Sequence, residues 1–508
     1  MKMIETKGLT KKFGNFVAND HINLSVDNQE IKCIVGENGA GKTTLMNMLY
    51  GMTEPTEGEI FIRGKKVYLR NPIDAIKAGI GMVHQHFKLV PSLTVYENIM
   101  LGIELKKGIL VDKKEEIRQV KKLIEKYHFE LDPMDKIEDI SVGSRQRVEI
   151  LKMLYRNVDI LILDEPTAVL TPQEVKELIV NLKNLKAQGK TIIVITHKLQ
   201  EVMELSDSIT VIKHGKVIGN VATKDTNEQE LAQMMVGRNV VLSVKNEYRI
   251  QSSNEIVYKA ENICTVNDYG KKVVNNVSFE LHKGEILGIA GVEGNGQSEL
   301  VKLITGLMEA TSGKIMMDGK DVTNVWPERL RKYGMGIIPE DRYAQGLCKG
   351  MSIAENSIAG YHGRPEVCHH GIINKKKENQ KRDQEIKEFD IRIGNLEGDI
   401  DSLSGGNAQK LIVARELSEN PHILIACQPT RGIDIGSIEF IHRQLLKYRN
   451  EGNSIILISS ELSEIMSLSD RIIVMYKGKI SGETDSKNAD TTKIGLLMAG
   501  INPEERSA

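Results

Sequence analysis

A glycine-rich loop near residue 40 carries the residue types that bind phosphate. It reads GENGAGKT and lies between an apolar run, 31–35, and a helical pattern that opens at Thr44. Glycines allow backbone N–H groups to face phosphate oxygens, a lysine adds a cation, and a threonine hydroxyl is a ligand for Mg²⁺. A glycine-rich turn without nucleotide is the alternative, and the flanking strand and helix disfavour it. The candidate contacts are Gly36, Glu37, Asn38, Gly39, Ala40, Gly41, Lys42, Thr43 and Thr44.

Two carboxylates and a histidine follow apolar runs that are typical of buried strands. Asp164 and Glu165 come after 160–163, and His197 comes after 191–196. Because ligands bind outside the carboxyl ends of strands in open α/β sheets, we expect these side chains beside the phosphate loop. There Asp164 would hold hydrated Mg²⁺, Glu165 would polarise a water, and His197 would hydrogen-bond the γ-phosphate. An acidic loop and a structural histidine are the alternative interpretations.

Further segments complete a known pattern. Gln85 lies in GMVHQHF, and residues 141–145 read SVGSR; together with GENGAGKT, LILDEPT and ITHK they resemble the ATP-binding subunit of an ABC transporter. The pattern recurs, since 291–298 read GVEGNGQS, 404–409 read SGGNAQ and 423–430 read ILIACQPT. The resemblance implies an α/β fold with two tandem P-loop ABC ATPase domains, each a mixed sheet core with a helical subdomain. It also implies ATP and Mg²⁺ as cofactors.

The two copies align at fixed offsets. Gly36 with Gly291, and Gln85 with Glu340, are 255 residues apart, whereas three later pairs are 263 apart: Ser141 with Ser404, Asp164 with Cys427 and His197 with Ser460. The difference indicates one short insertion between the glutamine and the SVGSR segment. We predict domain 1 at 1–245, a linker at 246–255, domain 2 at 256–500 and a tail at 501–508.

The second copy lacks the charged groups of the first. In sequence order, Gln297, Glu340, Cys427, Gln428 and Ser460 stand where the first copy has Lys42, Gln85, Asp164, Glu165 and His197. Without a phosphate cation, a metal carboxylate and a base, transition-state stabilisation should collapse there. Gly291, Gly296 and Ser298 remain, so this site is either vestigial or holds nucleotide without turnover.

The signature segments differ in the opposite sense. The second copy keeps Ser404, Gly405 and Gly406, whereas the first has Ser141, Val142 and Gly143. The resemblance implies that the two halves pair head to tail, with each ATP between one phosphate loop and the other signature. A competent site would combine Lys42, Thr43, Gln85, Asp164, Glu165 and His197 with Ser404, Gly405 and Gly406, with Thr43, Gln85 and Asp164 on the metal. The degenerate site would combine Gln297, Cys427, Gln428 and Ser460 with Ser141, Val142 and Gly143.

Two aromatic residues precede the phosphate loops at similar distances. Phe13 and Tyr269 are each followed by a glycine. Either ring could stack on adenine, and either could be an ordinary edge-strand aromatic. We take Phe13 as a candidate nucleotide contact.

Composition bounds the partners. Lys plus Arg is 68 and Asp plus Glu is 69, so charge gives no argument for nucleic acid, and none is expected. The five cysteines show no metal-type C-x-x-C spacing, and their odd number suits a reducing compartment. The N-terminus has no apolar leader, and no uncharged apolar run approaches about 18 residues, so we expect no bilayer span. The resemblance therefore implies separate transmembrane permease subunits, an extracytoplasmic substrate-binding protein and a location at the cytoplasmic face of the membrane.

The transported molecule is the least constrained feature. Twin domains with a short linker resemble the ATPases of bacterial nucleoside and simple-sugar importers. The segments ACQPTRG, SVGSRQRVEI and IIPEDRYAQG look closer to the nucleoside branch, and a ribose- or galactose-type sugar importer is the alternative. From another class, a soluble twin-ABC ATPase acting on ribosomes remains, although such proteins generally carry a long basic helical linker. A scaffold that only binds nucleotide is contradicted by the intact Glu165 and His197.

Overall fold

The computed structural model describes the chain except residues 85–86, 109, 169, 238–243, 245, 247–252, 268, 293, 394–397 and 502–508. The described residues form two compact units, Met1–Val240 and Val241–Ala508. Most of the predicted linker and tail lies outside the described residues. Asn246, at the start of that linker, is buried against the second unit, where its Nδ2 donates to Leu468 O at 3.2 Å.

The first unit begins with a long hairpin and alternates strands with helices thereafter. Its strands are β1 (Lys2–Phe13), β2 (Phe16–Ile22), β3 (Ser25–Asp27), β4 (Ile31–Val35), β5 (Glu57–Ile62), β6 (Lys65–Val67), β7 (Ile80–Val83), β8 (Lys106–Lys107), β9 (Leu110–Val111), β10 (Ile160–Asp164), β11 (Thr191–Ile195), β12 (Ser208–Lys213) and β13 (Lys216–Ala222). Its helices are α1 (Lys42–Leu49), α2 (Pro72–Lys77), α3 (Val95–Met100), α4 (Lys113–Tyr127), α5 (Val142–Tyr155), α6 (Pro172–Ala187), α7 (Leu199–Leu205) and α8 (Glu228–Val236).

A central sheet of the first unit positions the candidate site. Its order is β13-β12-β4-β11-β10-β7, with β13 antiparallel to β12 and the other neighbours parallel. Every residue of β4, β10 and β11 is buried, as expected for short apolar strands covered on both faces. The loops that follow these three strands therefore meet at one edge of the sheet. A second sheet, β2-β1-β5-β6 with β3 beside β1, and a helical layer of α3, α4 and α5 complete the unit.

The second unit repeats this order of elements. Its strands are β14 (Ile256–Val266), β15 (Lys272–His282), β16 (Ile286–Ala290), β17 (Ser312–Met317), β18 (Lys320–Asp321), β19 (Met335–Ile338), β20 (Cys368–His369), β21 (Ile372–Ile373), β22 (Ile423–Cys427), β23 (Ser454–Ser459), β24 (Arg471–Tyr476) and β25 (Lys479–Asp485). Its helices are α9 (Gln297–Ile304), α10 (Pro327–Lys332), α11 (Ile353–Ser357), α12 (Lys375–Glu388), α13 (Gly405–Leu417), α14 (Ile435–Asn450), α15 (Leu462–Leu468) and α16 (Thr491–Met498).

The central sheet of the second unit has the matching topology. Its order is β19-β22-β23-β16-β24-β25, and its helical layer consists of α11, α12 and α13. Alternate residues of β22 face two apolar clusters, one containing Leu424 and Ala426 and the other containing Ile423, Ile425 and Cys427. The predicted fold, two α/β domains with mixed sheets and helical subdomains, is confirmed. Within the described ranges, no helix has the length and apolar character needed to cross a bilayer.

Candidate nucleotide site

The first phosphate loop is shaped by a glycine, Gly41, where any side chain would crowd the neighbouring backbone. Gly41 has a φ of 99° and precedes α1. A Cβ there would lie 2.4 Å from Ala18 O and 2.6 Å from Asn19 Nδ2. Asn19 Nδ2 in turn donates to Gly41 O at 3.1 Å. Because this left-handed glycine caps the helix, α1 begins at Lys42, two residues before the predicted start at Thr44.

Lys42 lies inside the loop. Its Nζ donates to Gly36 O at 2.7 Å and to Glu37 O at 2.9 Å, and the side chain is buried. Burial lowers the pKa of this ammonium, and the negative charges of Glu165, Asp164 and Glu37 oppose that shift. The loop therefore encloses a cation at the N-terminus of a helix, which is an arrangement suited to phosphate.

The predicted carboxylates and histidine meet at the sheet edge. Asp164 ends β10 opposite Ile195 of β11, and Glu165 N donates to Ile195 O at 2.9 Å. Glu165 has a φ of 46°, in the left-handed region that non-glycine residues rarely adopt, which costs on the order of 1–3 kcal/mol. This turn directs the carboxylate to His197, whose Nδ1 lies 3.0 Å from Glu165 Oε1.

The two adjacent carboxyl groups have opposite pKa shifts. Burial raises the pKa of Asp164 to about 6, the charge of Glu165 adds to the rise, and Lys42 opposes it. For Glu165 burial also acts upward, but the hydrogen bond and charge of His197, with the charges of Lys42 and Lys198, bring the pKa below its ordinary value. Glu165 is therefore the more acidic of the two carboxyl groups and is ionised at neutral pH, as a base requires.

The donor set fits Mg²⁺. Two adjacent carboxyl groups, buried Asp164 with a raised pKa and half-buried Glu165, could bind a divalent cation, whose charge would favour their ionised forms. Thr43 presents an exposed hydroxyl in the first turn of α1. No cluster of three His, Cys, Asp or Glu side chains in the described part of the chain could hold a metal.

Two candidate contacts stand apart from this cluster. Gln85, predicted as a metal and catalytic contact, lies outside the described residues. Phe13 is the last residue of β1, about half exposed, with Lys11 Nζ 5.2 Å from its ring centroid. The ring is free to stack on a base, and its role as an adenine contact stays a prediction.

The second phosphate loop has the same glycine conformation before its helix as the first, but it lacks the lysine. Gly296 has a φ of 97°, and a Cβ there would lie 2.9 Å from Val273 O. Gln297 Nε2 donates to Ile289 O at 3.1 Å, a strand carbonyl, and the side chain is buried. Its neighbour Ser298 is half-buried. The amide at the lysine position is thus bonded to the sheet below the loop.

The strand end of the second unit is neutral as well. Burial raises the pKa of the Cys427 thiol, which packs in an apolar cluster and stays protonated. Gln428 has a φ of 46°, as Glu165 does, and its Oε1 accepts from Ser460 N and Ser460 Oγ at 3.2 Å each. Glu340 Oε1 lies 3.4 Å from Arg431 Nη1. The φ of the turn at Glu165 is therefore preserved at Gln428, although Cys427, Gln428 and Ser460 are uncharged.

Each signature segment begins a helix. Ser141 caps α5, and Ser404 caps α13, each accepting from the backbone N–H three residues later. In the first unit, Glu174 Oε1 accepts from Gly143 N at 3.2 Å and from Ser141 Oγ at 3.3 Å. Val142 is half-buried beside them. Gly405 and Gly406 leave the start of α13 without side chains.

Sequence reasoning did not identify three residues that shape these segments: Asn19, Glu174 and Arg342. Asn19 and Glu174 contact segments 22 and 31 residues away in the chain. Arg342 donates to Gly405 O across 63 residues. No local sequence pattern marks such contacts.

Two ATP-binding cassettes in one chain define the class of protein. The sequence profile of the ABC transporter family matches residues 19–168 and 274–431. These ranges contain both phosphate loops, both signatures and both strand ends described above. The chain belongs to the ABC transporter family, as an ATP-binding subunit that hydrolyses ATP.

Relatives align over almost the full length. The chain is 46% identical over 503 residues to the nucleoside import ATP-binding protein NupA of Lactococcus lactis, covering 99% of each chain. It is also 46% identical to the guanosine import ATP-binding protein NupO of Bacillus subtilis, covering 99% of this chain and 98% of the relative. The glucose import ATP-binding protein TsgD13 of Haloferax volcanii is 42% identical, with 98% and 96% covered.

One solved structure aligns with both units. It is a complex of an archaeal ribosomal stalk protein and an archaeal ribosome recycling factor, with a TM-score of 0.60 and 20% identity, covering 94% of this chain and 90% of that chain. At that identity the likeness shows the fold alone.

Proposed function

We propose that this protein energises a membrane importer of nucleosides. Likeness over nearly the whole chain to two nucleoside importer subunits from different bacteria supports this cargo. Transmembrane permease subunits and an extracytoplasmic binding protein would be its partners, and it would act at the cytoplasmic face of the membrane. Its two halves would pair within one chain.

A single competent site would drive the cycle. It joins Lys42, Thr43, Gln85, Asp164, Glu165 and His197 of the first half to Ser404, Gly405 and Gly406 of the second. The observation that carries this proposal is a contrast on the same left-handed turn: ionised Glu165 is hydrogen-bonded to His197 in the first half, whereas neutral Gln428 is hydrogen-bonded to Ser460 in the second. A neutral amide cannot accept the proton of an attacking water.

Each side chain has a defined task in hydrolysis. Glu165, kept ionised by His197, orients and polarises the attacking water, and His197 contacts the γ-phosphate. Lys42 neutralises charge on the β- and γ-phosphates. Thr43, Gln85 and Asp164 would hold Mg²⁺, which neutralises charge that develops on the phosphate oxygens.

The degenerate site would keep the two halves of the chain together without hydrolysing ATP. It combines Gln297, Cys427, Gln428 and Ser460 with Ser141, Val142 and Gly143. No group in this set supplies a base or a cation, so closure and opening would follow ATP binding and hydrolysis at the competent site alone. The movement of the two halves would then drive the permease.

ATPase assays in membranes that carry the native partners test the function. Wild type, Glu165→Gln and Gln428→Ala are compared with nucleosides or simple sugars and the binding protein. Loss of turnover only in Glu165→Gln, with stimulation by nucleosides, is the expected result. Stimulation by sugars alone would assign the chain to the sugar importers. Equal loss in both variants would overturn the one-site mechanism, and co-purification with ribosomes without membrane stimulation would favour a cytosolic role.

A further inference from the structure

Arg342 ties together two loops of the second unit. Its Nη1 donates to Gly405 O in the signature at 3.0 Å, and its Nη2 donates to Arg431 O in the loop after β22. A Cβ on Gly432 would lie 3.1 Å from that Nη2, so this loop passes close to the guanidinium. Since the guanidinium is planar and its donors have a fixed geometry, one side chain sets the spacing of both loops.

The segment that carries Arg342 is itself well defined. It follows β19 as a single helical turn, Arg342–Gly346, where Asp341 Oδ1 accepts from Tyr343 N at 2.9 Å and from Ala344 N at 3.0 Å. Just before it, Glu340 forms the ion pair with Arg431. The segment after β19 thus makes two contacts with the loop after β22. One is the hydrogen bond from the Arg342 side chain to the Arg431 carbonyl oxygen, and the other is the Glu340–Arg431 ion pair.

The first unit supports its signature in a different way. At the offset of 255 residues, the counterpart of Arg342 is Phe87, which has no side-chain donor. The guanidinium near that signature belongs to Arg145 of α5, whose Nε and Nη2 donate to Ile140 O at 3.2 Å and Glu138 O at 3.1 Å. These bonds hold the residues that precede the helix. They do not connect the signature to the segment after β7.

We propose that Arg342 is a positioning residue for ATP hydrolysis, which holds the Ser404–Gly406 signature and the Arg431–Gly432 loop at a fixed spacing. This proposal rests on the proposed function, in which that signature completes the ATP site of the first half. Arg342 touches neither ATP nor the first phosphate loop in this scheme. Its removal should therefore affect closure and turnover, and leave the first binding step intact.

Three variants separate these effects. Arg342→Ala leaves both carbonyl oxygens without their donor, and should lower kcat by about 10-fold or more while changing the Kd for ATP by less than about twofold. Arg342→Lys supplies one flexible ammonium in place of two fixed donors, so its kcat should lie between those of the wild type and Arg342→Ala. Arg443→Ala is the matched control, because Arg443 is an exposed arginine of α14 paired with Glu439. It should behave as wild type.

The test uses the full chain. In membranes with the native partners, kcat, KM and the stimulation by transported substrate are measured for the three variants. In the isolated chain, small-angle scattering follows compaction by ATP in Glu165→Gln and in Glu165→Gln combined with Arg342→Ala or Arg342→Lys. We expect ATP to compact Glu165→Gln. The double variant with Arg342→Ala should need about 10-fold more ATP to reach the same compaction.

The outcomes separate the role of Arg342 from the pairing of the two halves, on which that role depends. If Glu165→Gln does not compact with ATP, the pairing of the halves is overturned, and the role of Arg342 with it. If Glu165→Gln compacts and both double variants match it at every ATP concentration, the pairing stands and the role of Arg342 is overturned. A wild-type kcat in both Arg342→Lys and Arg342→Ala would likewise overturn the role of Arg342. Should Arg342→Ala unfold, the Arg342→Lys series alone decides.

Discussion

His197 Nδ1 and Glu165 Oε1 lie 3.0 Å apart at the edge of the first central sheet. In the second unit the corresponding atoms belong to Ser460 and Gln428, which are also hydrogen-bonded. Glu165 and Gln428 share the same φ of 46°. One backbone geometry therefore carries an acid–base pair in the first unit and a neutral pair in the second.

Replacing Glu165 with glutamine should stop catalysis without disturbing the turn, because Gln428 already shows that glutamine fits it. We expect Glu165→Gln to lower kcat by at least about 100-fold and to retain ATP binding. Steady-state ATPase rates and equilibrium nucleotide binding measure the two effects. Gln428→Glu is the control, and a rise in turnover from it would contradict the one-site mechanism, since Gln297, Cys427 and Ser460 remain neutral.

Removing His197 should leave the Glu165 base in place but less well oriented and less fully ionised. His197→Ala deletes a hydrogen bond to a charged group, worth about 1.5–3 kcal/mol, which corresponds to a fall in kcat of roughly 10- to 100-fold. Ser460→Ala at the matching position should leave kcat unchanged. Similar losses in both variants, measured as ATPase under the same conditions, would show that the second site contributes to turnover.

The phosphate loop permits a test of close packing. Gly41→Ala and Gly39→Ala both place alanine at positive φ, which costs about 1–2 kcal/mol. Only the Cβ at Gly41 meets backbone, 2.4 Å from Ala18 O, whereas the Cβ at Gly39 meets nothing within 4 Å. We therefore expect Gly41→Ala to lose an additional 1–3 kcal/mol, roughly, of unfolding free energy, and to lose ATP affinity. Urea unfolding and nucleotide titration of both variants check this, and equal effects would refute it.

A buried carboxyl in the second unit should make stability depend on pH. Burial raises the pKa of Glu385 on α12 to about 8, with Lys381 and Arg415 opposing the shift and Glu419 and Glu416 adding to it. Between its ordinary pKa and about 8, the unfolded chain releases this proton and the folded chain keeps it. Stability should therefore fall as pH rises through that window, by up to about 1.4 kcal/mol per pH unit.

Glu385→Gln should flatten this dependence, since glutamine has no proton to lose. Free energies of unfolding at pH 6 and pH 8 measure the slope for the variant and wild type. Glu388→Gln, at an exposed position of the same helix, is the matched control and should keep the wild-type slope. An unchanged slope in Glu385→Gln would contradict the assignment.

Much of the site could be read from local sequence. A buried strand, a glycine-rich loop and a helix are contiguous, and strand ends of a parallel sheet share one edge, so Asp164 and Lys42 were expected to be neighbours. The left-handed conformation of Glu165 was not foreseeable. It depends on β11, whose Ile195 O accepts from Glu165 N, and on the hydrogen bond with His197. Contacts of that kind are made by the assembled sheet.

The side chains that hold the loops in place could not be predicted from the sequence either. Asn19 holds Gly41 from a strand of the hairpin, and Arg342 reaches Gly405 across 63 residues of chain. A lone asparagine or arginine has no periodicity or spacing that marks such a role. The helix start was misplaced for a similar reason, since the cap is a glycine whose conformation is set by its close approach to Ala18.

The left-handed turn at Gln428 has a consequence for protein engineering. The second half lost charged side chains while its backbone kept a geometry that costs energy to hold. A redesign that places Lys, Gln, Asp, Glu and His at positions 297, 340, 427, 428 and 460, and Gly at position 142, would therefore build on a preformed turn at residue 428. In the proposed scheme, giving the second site its own turnover would thus begin with side-chain changes around a turn whose φ already matches that of Glu165.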